Sequence, residues 1–98
     1  MSEGGEATSP VWHVYLIECV DGTLYTGVST DVQRRFEQHL AGKGARYTRS
    51  HRPQRLLASS PVGTRSEAQR IELAIKKLPR ENKIAAVLSP ATLAASGK

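Results

Sequence analysis

The sequence predicts an α+β fold, a small three-stranded antiparallel sheet flanked by helices, and three observations carry that prediction. Residues 11–27, VWHVYLIECVDGTLYTG, alternate β-formers on either side of Asp21-Gly22, a pair that tolerates positive φ and suits a hairpin turn. Thr30-Asp31-Val32-Gln33 and Thr64-Arg65-Ser66-Glu67 both match a capping box, and each opens a run with helical periodicity. Between those runs Arg55–Ser60 (RLLASS) reads as the third strand, its start limited by Pro53.

Residues 1–10 and 89–98 are rich in Gly, Ala and Ser without a sustained pattern, so they are expected as tails around one domain at 11–88. The first strand sets Trp12, Val14 and Leu16 on one side and His13, Tyr15, Ile17 and Cys19 on the other. Both sides are apolar enough to be covered, which makes this the central strand. The turn then decides where two tyrosines point. A two-residue loop sends Tyr15 and Tyr25 to opposite faces. A three-residue loop at Asp21–Thr23, with Val20 facing Leu24, puts both on one face, and that register is the expectation.

Thr30 is the expected N-cap of the first helix, and Val32, Phe36 and Leu40 its apolar stripe. At about 100° per residue, Arg35 and His39 fall beside the stripe, one turn apart, while Arg34 and Gln38 point away. Gly42 ends the helix, and GKGARYTRSHRPQR reads as a basic loop. The second helix is expected over Arg65–Leu78 with Ala68, Ile71, Ile75 and Leu78 buried, leaving Glu72 at the margin of an apolar stripe. Pro79 ends it and can open a last helix, Arg80–Leu88, in which Ile84, Val87 and Leu88 are apolar.

Charge narrows the partner. The 98 residues carry a net +5 at pH 7, and from Lys43 to Lys83 eleven Lys or Arg face three acids. Such a lopsided stretch repels itself unless a polyanion lies against it. The single cysteine, Cys19, excludes an internal disulfide and a multi-cysteine metal site. No apolar run approaches about 18 residues, and the acidic, small-residue start is unlike a signal peptide, so no membrane and a cytoplasmic location are expected.

Five polar positions stand out: Tyr15, Tyr25, Arg35, His39 and Glu72. Each has an ordinary structural reading. A strand tyrosine packs, an arginine beside a stripe snorkels, a helical histidine is solvated, and a marginal glutamate pairs with Lys76 four residues on. Their combination carries more. The hairpin, the DVQRRFEQH helix, GKGARYTR and SEAQRIELAIKKL together resemble the GIY-YIG nuclease superfamily, above all its small stand-alone bacterial members, over residues 12–84. The first signature tripeptide reads His13-Val14-Tyr15 and keeps only the tyrosine; the second, Tyr25-Thr26-Gly27, keeps tyrosine and glycine.

The resemblance implies a catalytic set of Tyr15, Tyr25, Arg35, His39 and Glu72, with Glu72 holding one Mg²⁺ or Mn²⁺. A further family asparagine has only Asn82 as a candidate, at uncertain spacing. Phosphodiester hydrolysis needs an activated water and neutralised charge on the phosphate. Tyr15 is implied as the base, its pKa brought down from about 10 by a neighbouring cation, with His39 to accept or relay the proton. Tyr25 is expected to hydrogen-bond the phosphate or the water, and Arg35 to fork its non-bridging oxygens. Lys43, Arg46, Arg49 and Arg52 are expected to track a nucleic-acid backbone without reading sequence. The implied function is a metal-dependent endonuclease acting on DNA with little sequence specificity. The alternatives are a non-catalytic nucleic-acid-binding module on the same fold, and a protein-interaction domain with incidental charge.

Overall fold

A strand that is apolar on both faces has to lie inside a sheet, and β1 (Trp12–Cys19) does so. The computed structural model describes residues 10–90 and places β1 between β2 (Leu24–Ser29) and β3 (Pro53–Gly63), antiparallel to both. Four helices complete it: α1 (Val32–Leu40) and α2 (Arg46–Ser50) between β2 and β3, then α3 (Arg65–Lys76) and α4 (Arg80–Leu88). The expected tails fall on 1–9 and 91–98, outside the described residues, but for Pro10, Ser89 and Pro90. No described helix is long and apolar enough to cross a membrane.

The two sheet faces have different covers. Val14, Leu16 and Ala58 pack against Ile71 and Ile75 of α3 and Val87 of α4. Tyr15, Ile17 and Cys19 pack on the opposite side with Val32 and Phe36 of α1, Tyr25 and Leu56.

The hairpin loop is three residues long but begins one residue earlier than expected, at Val20-Asp21-Gly22. Cys19 N donates to Thr23 O (2.8 Å) and Gly22 N to Cys19 O (2.9 Å), with Gly22 at φ +86°. Glycine takes that conformation without steric cost, so it claims the last loop position. Val20 leaves the ladder and donates instead to Arg52 O at 2.8 Å. Glu18 therefore faces Leu24, Ile17 faces Tyr25 and Tyr15 faces Gly27. Pairing slides by two residues from the expected register, and an even slide leaves both phenols on one face.

Local corrections follow the same logic. Asp31, not Thr30, caps α1: its carboxylate accepts from Arg34 N at 3.1 Å, and Ser29 Oγ accepts from Asp31 N at 2.9 Å. A carboxylate complements the positive end of a helix better than a hydroxyl does. Leu40 is exposed and His39 buried. Steps of four residues drift about 40° each round a helix, so i+7 stays nearer the buried face than i+8. Gln38, expected to point away, is half-buried. The basic loop contains α2, and β3 runs from Pro53 to Gly63, with Pro61 accommodated beside a register shift opposite Trp12 and His13.

The capping box at Thr64 and Glu67 forms as expected, although α3 ends at Lys76 rather than Leu78. Lys83 Nζ closes that end by donating to Ile75 O (2.9 Å) and Lys76 O (3.1 Å). In α4 only Val87 is buried; Ile84 and Leu88 face outward.

Candidate active site

Tyr15 sits mid-sheet with its ring 1% exposed, and its hydroxyl lies 2.9 Å from His39 Nε2. The ring fits because Gly27 faces it across the strand pair, where a Cβ would run into Tyr15 Cζ and Oη. His39 is equally buried, and its Nδ1 lies 2.7 Å from Thr48 Oγ1 of α2. Gly44 closes over that ring, and a Cβ there would collide with Nδ1. Strand alternation thus aims the phenol, helix phase aims the imidazole, and two glycines make room for both.

Tyr25, on the edge strand β2, completes the aromatic cluster. Its ring centroid is 6.3 Å from that of Tyr15 and 5.2 Å from that of His39. It stacks on Tyr47 of α2 at 5.6 Å, and Tyr47 stacks on His51 at 4.2 Å. His51 in turn pairs with Asp21 of the hairpin turn at 2.7 Å. Hydrogen bonds from His51 and Thr23 hold the Asp21 carboxyl down at about 2. The α2 segment is tied at one end to the hairpin turn and at the other to His39.

Three charges border the phenols. Arg35 is half-buried, donates from Nη1 to Gln38 Oε1 at 3.0 Å, and holds its guanidinium beside the Tyr15 hydroxyl. Arg34, its neighbour, is exposed. Glu72 of α3 is largely covered, with Oε2 3.2 Å from Lys76 Nζ, which lies 5.8 Å from the centre of the Tyr25 ring. The structure therefore brings Tyr15, Tyr25, Arg35, His39 and Glu72 to one place. Asn82 is exposed in the first turn of α4.

The electrostatics reverse one expectation. Burial, helped by Tyr25, raises the Tyr15 pKa far above the ordinary phenol value, and Arg35 only partly offsets it. Without a bound ion, the cation beside Tyr15 does not bring it within reach of neutrality. Burial also raises Tyr25, with Lys76 pulling the other way. His39 is pushed down to about 4, first by burial and then by Arg35, so at pH 7 it is a neutral imidazole with one free lone pair.

Among the described residues no three His, Cys, Asp or Glu side chains gather into a metal cage. The donor chemistry nonetheless fits one hard divalent ion at Glu72, a carboxylate at the rim of the cluster that already accommodates a positive charge from Lys76. Lys43, Arg46, Arg49 and Arg52 are all exposed. Arg49 and Arg52 line an open cleft of about 380 Å³ that reaches His39 and Thr48. Sequence reasoning missed Gly44, Tyr47, Thr48 and His51 as parts of the site, and treated Lys76 only as a surface partner of Glu72. The one local signal was composition: a tyrosine and a threonine inside a run of arginines.

A three-stranded antiparallel sheet presenting two phenols, an imidazole, a guanidinium and a carboxylate around a buried hydrogen bond defines a small α+β domain with a polar cluster on one face. The chain belongs to the GIY-YIG catalytic-domain family, which it matches over residues 11–85, and within it to the UPF0213 proteins. It is 53% identical over 74 residues to a UPF0213 protein of Cupriavidus pinatubonensis, covering 76% of this chain and 82% of that one. A UPF0213 protein of Halobacterium salinarum is 54% identical over 71 residues, covering 72% and 92%. The solution NMR structure of a protein from E. faecalis is similar with a TM-score of 0.56 at 36% identity, covering 87% of this chain and 90% of that one.

Proposed function

We propose that this protein is a metal-dependent endonuclease that hydrolyses phosphodiester bonds in DNA with little sequence preference. The observation that carries the proposal is the buried Tyr15–His39 hydrogen bond at 2.9 Å, bordered by Tyr25, Arg35 and Glu72. The phenol is held against a neutral imidazole rather than turned to solvent.

Glu72 would hold one Mg²⁺ or Mn²⁺, which when bound supplies positive charge to the scissile phosphate and to the attacking water. The remaining roles belong to the chain. Tyr15 is too basic as a phenolate to exist free at pH 7, so it takes a proton from water only while passing its own to His39 Nε2. The water proton ends on the phenol oxygen, the phenol proton on the imidazole, and the hydroxide on phosphorus, while the P–O bond to the leaving oxygen breaks and that oxygen takes a proton from solvent. Arg35 offers its donor fork to the non-bridging oxygens, and Tyr25 a single hydrogen bond. Lys43, Arg46, Arg49 and Arg52 contribute counterion release along the backbone. Residues 11–88 form the working unit in this reading, and the buried, unpaired Cys19 suits a reducing cytoplasm.

One observation favours a second reading, a nucleic-acid-binding module that does not cut: the Lys76 ammonium engages Glu72 Oε2. Supercoiled plasmid with Mg²⁺ or Mn²⁺, a chelator control and Glu72→Ala separate the two. Metal-dependent nicking that the substitution abolishes supports the enzyme; salt-sensitive retention of DNA without nicking supports the module.

A further inference from the structure

We propose that Thr48 is the positioning residue that fixes His39 as its Nδ1–H tautomer, leaving Nε2 bare to receive the Tyr15 proton. The catalytic consequence rests on the nuclease reading; the tautomer does not.

The tautomer follows from counting protons on side chains that expose almost no surface. His39 and Thr48 are each 1% exposed, so every polar hydrogen they carry needs a protein acceptor. Thr48 has one hydroxyl proton and two neighbours. Ala45 O, 2.9 Å away, can only accept, whereas His39 Nδ1, 2.7 Å away, can donate or accept. With the hydroxyl proton on Ala45 O, the Thr48 oxygen presents a lone pair to Nδ1, and Nδ1 carries hydrogen. Nε2 is then the acceptor 2.9 Å from the Tyr15 hydroxyl. All three protons are satisfied in one direction: Tyr15 to His39, His39 to Thr48, Thr48 to Ala45.

The opposite arrangement fails at Tyr15. If Nε2 carried the hydrogen it would donate to the phenol oxygen, and the phenol proton would need another acceptor. Among the described residues the Tyr15 hydroxyl has no other hydrogen-bonded acceptor, and the guanidinium of Arg35 beside it holds only donors. On the other side a bare Nδ1 would accept from Ala45 N–H, but at 3.4 Å that bond is long and weak, and giving it up costs less than an unpaired phenol proton.

The backing for the ring is built by one short stretch. Gly44 packs against Nδ1, Ala45 caps α2, and Ala45 O accepts from Thr48 N at 3.1 Å and Arg49 N at 3.3 Å as well as from the Thr48 hydroxyl, whose bond is the shortest. The ionisable groups around His39 are Tyr15 from β1, Tyr25 from β2, Arg35 on its own helix, and Arg49 and Arg52 across the cleft. None of them is hydrogen-bonded to Nδ1, so Thr48 is the acceptor on that side and the Tyr15 hydroxyl the donor on the other.

Long-range ¹H–¹⁵N correlation spectra of the metal-free, ¹⁵N-labelled protein at pH 7 read the tautomer directly, with His39 assigned by its loss in His39→Gln. The expected pattern is a protonated Nδ1 and a bare Nε2 in the wild type and in Thr48→Ser, and loss of that preference in Thr48→Val. In plasmid nicking, Thr48→Ser stays within about twofold of wild type while Thr48→Val falls about tenfold, a fraction of the roughly 10²–10⁴-fold that a positioned proton acceptor contributes, with DNA retention unchanged. A wild-type His39 protonated at Nε2 overturns the proposal, as does a Thr48→Val spectrum identical to wild type or a Thr48→Ser defect as deep as that of Thr48→Val. Should Thr48→Val not fold, the wild-type and Thr48→Ser spectra still decide. Absence of nicking in the wild type overturns the nuclease reading and leaves the tautomer assignment standing.

Discussion

On one face of β1, Val14 and Leu16 are enclosed by Ile71, Ile75 and Val87, hydrocarbon against hydrocarbon. On the other, Tyr15 is enclosed just as completely, but its terminal atom meets an imidazole that meets a hydroxyl. Both faces are dry. The first gains stability from every buried methylene; the second must satisfy each polar atom merely to avoid a penalty. A chain selected for stability alone would have made the second face like the first. The difference is what the proposed nuclease reading uses, and under it substitutions on the two faces should separate stability from activity.

The deepest expected effect lies at the rim of the polar face. Glu72→Ala should lower metal-dependent nicking at least about 100-fold, while its melting temperature stays close to wild type, because Glu72 makes only an ion pair with Lys76. Next, Ile75→Ala on the hydrocarbon face should cost about 2–5 kcal/mol in urea unfolding. Tyr15→Phe should cost only about 1–3 kcal/mol, the price of an unpartnered His39 nitrogen, and should remove nicking. Equal stability losses would erase the contrast between the faces.

The comparison sharpens with pH. His39 takes up a proton near 4 when folded and near its ordinary 6.5 when unfolded. Its contribution to stability is therefore whole above pH 6.5 and is lost as the pH falls towards 4, by up to about 3 kcal/mol. His39→Gln should flatten that part of the profile in urea titrations at stepped pH, whereas Ile75→Ala should shift the curve without changing its shape. The smallest effect compares neighbours on α1: Arg35→Ala should reduce nicking about tenfold or more, and exposed Arg34→Ala should leave it near wild type. Equal losses would mean that the helix presents a different face to the phosphate.

Much of this contrast was legible in the sequence because its causes are local or periodic. Two-residue alternation assigned Val14 and Tyr15 to opposite faces, and the parity of the loop put Tyr25 beside Tyr15 although the loop was placed one residue late. Helical phase separated Arg35 from Arg34 and kept His39 near the buried side. What escaped had its cause elsewhere in the chain. The five residues of α2 have no pattern of their own, and they dock because Thr48 meets a histidine nine positions earlier. The upward shift of Tyr15 depends on how thoroughly the fold covers the ring, which no spacing rule reports. Asp31 outcompeted Thr30 as a cap because its carboxylate suits the helix end better, a preference that the capping-box match at Thr30 masked.

Gly27 and Gly44 flank the Tyr15–His39 pair, each at a spot where one added carbon would strike it. The outline of this polar pair is thus drawn by missing atoms. Neither position carries a functional group, yet a methyl at either would press on the Tyr15 ring or the His39 ring. Mutational scans that rank sites by chemical side chains would pass over both.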